Sequence, residues 1–183
     1  GKAVKFTKNN RYTSFSSTIL NIFRELKVCD EETLGCAAAE GLILGNYSFS
    51  KYLGKERQEK MPALEIASLQ WNGSLGEVNL GLKRGRIIAE AANLVKELVN
   101  EPANVVNSTY LEKAAKEIAA EDSRIKIHVL NETELKKLKM GALLGVNAGS
   151  VNPPKLVIME YCGMDHAGFD AAFVGKGITF DSG

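Results

Sequence analysis

The apolar positions of the chain fall into two periods, one of about 3.6 residues and one of two. Over residues 13–28, Phe15, Ile19, Phe23 and Leu26 recur at helical spacing and predict a helix. A second helix is expected over residues 32–52. Asp30, Glu31 and Glu32 open it with acidic side chains, which suit the positive end of its dipole. Ala38, Gly41 and Gly45 give that helix a small-residue face. A glycine inside a helix costs about 1 kcal/mol against alanine, so close approach of another backbone is expected there. Residues 64–69 read as a strand, and Trp71, Asn72, Gly73 and Ser74 as a turn. The longest helix is expected over residues 78–99, with Ile87, Ala91, Leu94 and Leu98 in one stripe that Ile88 and Val95 widen.

Pro102 disfavours helix at Glu101 and ends that element. Asn107, Ser108 or Thr109 can cap the next helix, and Thr109 with Glu112 fits a capping box. Ile125, Ile127 and Val129 alternate with Lys126 and His128, which predicts a half-buried strand with His128 on its solvated side. A short charged helix is expected over residues 132–139. A flexible stretch should follow, punctuated by Gly141, Gly145 and Gly149 and ending at Pro153 and Pro154. Residues 155–161 and 171–174 read as buried strands, with His166 in the turn between them. Helices alternating with apolar strands predict an α/β layered architecture.

Composition narrows the field. The chain has 183 residues, 45% hydrophobic and 25% charged, as in ordinary globular proteins. Lys and Arg number 23 against 22 Asp and Glu, a net charge of +1 that argues against a nucleic-acid binder. The Lys83, Arg84 and Arg86 cluster reads as a solvated helix face rather than a phosphate contact. No apolar run approaches membrane-spanning length, and the first residues do not form a signal peptide. Three scattered cysteines, Cys29, Cys36 and Cys162, fit free thiols rather than a cysteine zinc site. With only two histidines, a metal would have to be held mainly by oxygen.

The chemistry concentrates at the end of the sequence, where an apolar segment runs into Gly175, Lys176 and Gly177, and Asp181 follows five residues after the lysine. This is not a phosphate-binding loop, because Gly177 stands where Ser or Thr is required. There is no G-x-S-x-G elbow. A lysine and a carboxylate at the end of a strand lie where open α/β sheets bind ligands, although on chemistry alone a surface ion pair is the plainer account of them. A chain ending on apolar strands is expected to be truncated.

Several blocks carry a resemblance. They are Asn100-Glu101-Pro102-Ala103-Asn104, residues 141–150, Pro153-Pro154-Lys155-Leu156, residues 174–183, and residues 39–47 with Phe49 and Tyr52. In this order and spacing the chain resembles the leucyl aminopeptidase family, the hexameric, dizinc cytosol aminopeptidases. The resemblance runs over residues 32–183. It implies an α/β fold: the end of an N-terminal α/β domain over residues 1–77, a connecting helix over 78–99, and the start of a catalytic domain with a mixed sheet over 100–183.

The resemblance also implies that Lys176 and Asp181 are metal ligands, with Asp181 between two ions. Lysine binds zinc only as the neutral amine, and neutrality at pH 7 costs about 4–5 kcal/mol from an ordinary pKa of about 10.4. Nearby cations and desolvation can supply that. The implied activity is two-metal hydrolysis that releases N-terminal residues, preferably leucine, from peptides. Two divalent metal ions are implied, zinc first, with manganese, magnesium or cobalt able to replace it in an exchangeable site. A cytoplasmic homohexamer is implied as well. The family's remaining ligands fall beyond Gly183, so the chain alone is expected to bind zinc weakly and to be inactive. Two other readings stand beside this one: a non-catalytic assembly module, and a DNA-binding member of the family.

Overall fold

The computed structural model describes residues 1–164 and 168–180. The chain divides into two units, Gly1–Asn100 and Glu101–Gly183. The first unit contains α1 (Lys2–Asn9), β1 (Ser14–Ser17), α2 (Ile19–Glu25), α3 (Glu31–Asn46), α4 (Lys55–Glu59), β2 (Ile66–Leu69) and α5 (Leu75–Asn100). The second contains α6 (Ser108–Glu121), β3 (Ile125–Leu130), α7 (Glu132–Lys137), α8 (Gly141–Asn147) and β4 (Leu156–Tyr161). Helices with short strands in both units make this an α/β chain.

The first unit is organised around the packing of α3 on α5. Asp30 caps α3, its carboxylate accepting from the Thr33 amide at 2.6 Å, and Glu31 and Glu32 occupy the first turn. Three glycines bring the two backbones together. A Cβ at Gly35 would lie 2.3 Å from the Val78 carbonyl oxygen, and one at Gly85 would lie 2.2 Å from that of Cys36. Leu34, Ala39, Val78 and Ala89 fill the seam. The expected close approach at Gly41 and Gly45 is made by the start of the chain. Cβ atoms there would lie 3.0 Å from the Gly1 nitrogen and 3.1 Å from its Cα. Val4 of α1 is fully buried beside them.

Two sequence expectations fail in this unit. Residues 13–28 are not one helix. Ser14–Ser17 form a strand paired in parallel with Ile66–Leu69, Phe15 opposite Ala67, and the helix begins only at Ile19. Three serines in four positions are poor helix formers, and β2 supplies a ladder that the local period cannot foresee. The helix predicted over residues 32–52 stops at Asn46. There the Asn46 side chain receives the Leu64 amide and donates to the Leu64 carbonyl, both at 2.9 Å. Tyr47 turns to extended backbone.

In the second unit, β3 and β4 pair antiparallel, Ile125 opposite Tyr161 and Leu130 opposite Leu156. Helix α6 packs on this ribbon, and Ala115 and Leu135 are buried in the unit. Asn107 caps α6 by accepting from the Thr109 and Tyr110 amides. The Thr109–Glu112 capping box does not form, because the Glu112 carboxylate is drawn to Lys116 and Lys155. A capping box does close α7: Asn131 accepts from the Glu134 amide, and Glu134 accepts from that of Asn131.

The glycine-punctuated stretch is helical over α8, since Ala142, Leu143 and Leu144 favour helix and the space around Gly141 and Gly145 is open. Residues 171–174 form no strand. They are exposed coil, Phe173 at 98% and Val174 at 99%, and no described strand runs beside them to complete a ladder. No helix of the described residues is long and apolar enough to cross a membrane.

Candidate functional site

Lys176 lies in the exposed segment of residues 168–180, with open space around its neighbours Gly175 and Gly177. Nothing crowds the backbone there, as a close-approaching ligand would require. Asp181 lies outside the described residues, as does His166. The two predicted ligands are therefore not placed relative to each other. Their chemistry suits a divalent ion, an amine nitrogen and a carboxylate that can bridge. Two donors nevertheless fall short of the three or four protein ligands that zinc sites use. Among the described residues, no three His, Cys, Asp or Glu side chains gather in a group able to hold a metal.

The remaining sequence candidates resolve into ordinary surface chemistry. His128 is exposed on β3, with Nε2 3.7 Å from Glu160 Oε2 on β4. Arg84 reaches Glu32 at 3.3 Å and Arg86 reaches Glu90 at 2.7 Å. Both cations thus answer carboxylates of their own unit, and Gly85 between them faces α3. The three cysteines are free thiols. Cys36 Sγ lies 3.2 Å from Glu40 Oε1. That hydrogen bond, with desolvation, pushes the Cys36 thiol up and makes it a poor nucleophile.

Two polar clusters escaped the sequence reading. In the second unit, Glu112 accepts from Lys116 at 2.5 Å and from the half-buried Lys155. These two ammonium groups hold the Glu112 carboxyl down to about 2. Lys155 sits in the Pro153-Pro154-Lys155-Leu156 block, where β4 begins, so the pair ties α6 to that strand's entry. Ser108 adds a hydrogen bond to the Pro153 carbonyl at 2.6 Å.

In the first unit, the Tyr47 hydroxyl accepts from Asn100 Nδ2 at 3.0 Å, and Lys96 lies 5.0 Å above the Tyr47 ring. Burial raises the Tyr47 phenol, opposed by the Asn100 hydrogen bond and reinforced by Glu97. Both clusters join blocks that are distant in sequence. Only their co-occurrence within the resembling motifs could have signalled them.

Comparison with known proteins bears on the same segments. The family model described as "Cytosol aminopeptidase family, catalytic domain" matches residues 93–183. A probable cytosol aminopeptidase of Sulfurihydrogenibium sp. (strain YO3AOP1) is 36% identical over 195 residues, covering 100% of this chain and 38% of that protein. One from Aquifex aeolicus (strain VF5) is 38% identical over 181 residues, covering 99% of this chain and 35% of that protein. The chain thus spans little more than a third of the length of the curated relatives it matches.

Among solved structures, a mutant of tomato leucine aminopeptidase superposes with a TM-score of 0.72 at 28% identity, over 85% of this chain and 31% of that one. The bottromycin maturation enzyme BotP in complex with Mn superposes with a TM-score of 0.64 at 20% identity, over 86% of this chain and 30% of that one, a likeness of fold.

Proposed function

Because the chain belongs to the cytosol aminopeptidase family, we propose that the full-length protein is a metalloaminopeptidase releasing N-terminal residues, leucine preferentially, from peptides. The observation that carries this reading is the family match over residues 93–183, a range that includes Gly175, Lys176, Gly177 and Asp181. Lys176 and Asp181 are the proposed metal ligands of this chain.

A bound pair of divalent ions, zinc or an exchangeable manganese, magnesium or cobalt, supplies carbonyl polarisation, a seat for the free α-amine and a more acidic water. Lys176 contributes its side-chain nitrogen only once deprotonated, so the segment must leave the open solvent it occupies here when the site is built. Asp181 carries two oxygens and can serve two ions at once. Residues 1–77, 78–99 and 100–183 are proposed as the end of an N-terminal domain, a connecting helix and the start of the catalytic domain. The protein is proposed to be cytoplasmic and to assemble as a homohexamer.

The test is metal content together with leucine anilide hydrolysis in the full-length protein. Lys176→Ala and Asp181→Asn should each lower bound metal and cut activity by more than about 100-fold. Unchanged metal in both variants would overturn the ligand assignment. The 183-residue chain by itself, with two donors, should bind zinc weakly and hydrolyse nothing.

A further inference from the structure

The near-zero net charge speaks against a nucleic-acid binder only if the charges are evenly spread, and they are not. Five of the 23 Lys and Arg side chains lie in residues 1–24, and none of the 22 Asp and Glu does. Two of those five cations are used internally. Lys8 donates to the Asn46 carbonyl and to the Ser48 hydroxyl, both at 2.9 Å, and Arg24 is paired with Glu31 at 2.5 Å. Lys2, Lys5 and Arg11 are exposed, and none of them enters an ion pair among the described residues.

Helix α1 sorts these side chains by face. Helical spacing puts Lys2, Lys5, Phe6 and Asn9 on one side and Val4, Thr7 and Lys8 on the other. Val4 and Thr7 are buried, with Val4 against Gly45 of α3, so the inner face is spent on packing. The outer face keeps the cations, and an aromatic ring stands among them. Phe6 is 67% exposed, and Tyr12, just past the helix, is 60% exposed.

The helix ends in a Schellman motif: the Tyr12 amide donates to the Thr7 carbonyl at 3.0 Å and the Arg11 amide to that of Lys8 at 2.9 Å. Arg11 takes the left-handed position at φ 58, which glycine occupies at less cost. The guanidinium is thus kept at a place where the fold itself prefers no side chain.

Unanswered cations interleaved with exposed rings match a phosphate backbone whose bases are free to stack. In a duplex the bases already stack on one another, which leaves the two rings without a partner. An anionic membrane would call on the apolar face of α1, which is already buried. We propose that the outer face of α1 and the turn after it bind single-stranded nucleic acid, with Lys2, Lys5 and Arg11 on phosphates and Phe6 and Tyr12 against bases. None of these residues belongs to the proposed metal site, so the inference stands apart from the aminopeptidase reading.

The test titrates the full-length protein into a fluorescent oligodeoxythymidine of about 12 nucleotides, followed by anisotropy between about 50 and 200 mM salt. Three phosphate contacts give a slope of log affinity against log salt of about −2, and Lys2→Ala, Lys5→Ala and Arg11→Gly should each shrink it by about 0.7. Phe6→Ala and Tyr12→Ala should each weaken binding about 5-fold or more at an unchanged slope. Lys8→Met should leave the slope alone, because that cation is held by α3. Arg11→Gly relieves the left-handed strain, so its melting temperature should not fall, and lost binding there cannot be lost folding.

No binding at the lowest salt would overturn the proposal. So would an unchanged slope in the Lys2, Lys5 and Arg11 variants, which would place the contact elsewhere on the full-length protein. Equal or tighter binding to a duplex, with the Phe6 and Tyr12 variants silent, would reduce the strip to plain charge attraction and count against it. Binding to anionic lipid vesicles in place of the oligonucleotide would count against it as well.

Discussion

Gly81 lies so close to Glu32 that a Cβ at Gly81 would stand 1.9 Å from the Glu32 carbonyl oxygen. The obstacle is helix backbone rather than a side chain that can swing away. Alanine at this position must therefore push α5 off α3. Gly81→Ala gains about 1 kcal/mol of helix propensity and should still destabilise the protein by about 2–3 kcal/mol through overpacking. Gly76→Ala is the control. Its Cβ would meet nothing nearer than Ser74 Oγ at 3.7 Å, so it should be neutral or stabilising by up to about 1 kcal/mol. Urea unfolding of both variants measures the difference in sign.

The caps of the second unit give a graded prediction. Asn107 accepts from two amides of α6, at 3.0 and 3.1 Å. Asn131 does the same for α7 and also has its own amide held by Glu134. Asn107→Ala and Asn131→Ala should each cost about 1 kcal/mol. Glu134→Gln should cost less than Glu134→Ala, because glutamine keeps an acceptor for the Asn131 amide. Equal losses for the two Glu134 variants, read by chemical denaturation, would argue that charge at the α7 N-terminus matters more than the hydrogen bond.

The sequence was most readable where a signal is local. Helix α3 begins at its acidic cap, α5 follows its apolar stripe, and the alternation of Ile125, Ile127 and Val129 marks β3 correctly. It was least readable where the decisive partner is distant. Ser14–Ser17 become a strand only because Ile66–Leu69 lie beside them. The glycines at positions 35, 81 and 85 look like helix breakers until two helices are seen to cross at them. Phe173 and Val174 have a strand's composition, but no strand among the described residues pairs with them. For the candidate site, Lys176 and Asp181 are proposed from motif alone, while Glu112 with Lys155 and Tyr47 with Asn100 emerge only in three dimensions.

Tyr47 permits a test with two opposite signs. Asn100 donates to its hydroxyl, which favours the phenolate, whereas Glu97 accepts from it, which favours the phenol. Asn100→Ala should therefore raise the Tyr47 titration midpoint further, and Glu97→Gln should lower it. Titration of Cζ-labelled tyrosine by NMR, with Tyr47→Phe to assign the signal, reads both. Shifts of the same sign would mean that burial alone governs the group.

Glu112 should make the protein's stability depend on pH below the usual carboxylate range. Its carboxyl is lowered from 4.5 to about 2 by hydrogen bonds from Lys116 and Lys155, with burial opposing them. A folded-state value below the unfolded one means that the unfolded chain takes up the proton first as pH falls. The stabilisation is therefore complete above about 4.5 and is lost progressively towards 2. Melting temperature followed over that window should fall more steeply in the parent than in Glu112→Gln, which binds no proton there. The variant should be the less stable of the two at pH 7, with the curves converging in acid. Lys155→Met should flatten the same slope in part, because Lys116 remains at 2.5 Å to hold the carboxylate. Parallel slopes for parent and Glu112→Gln would show that other carboxylates, Asp122 against Arg124 among them, carry the acid sensitivity instead.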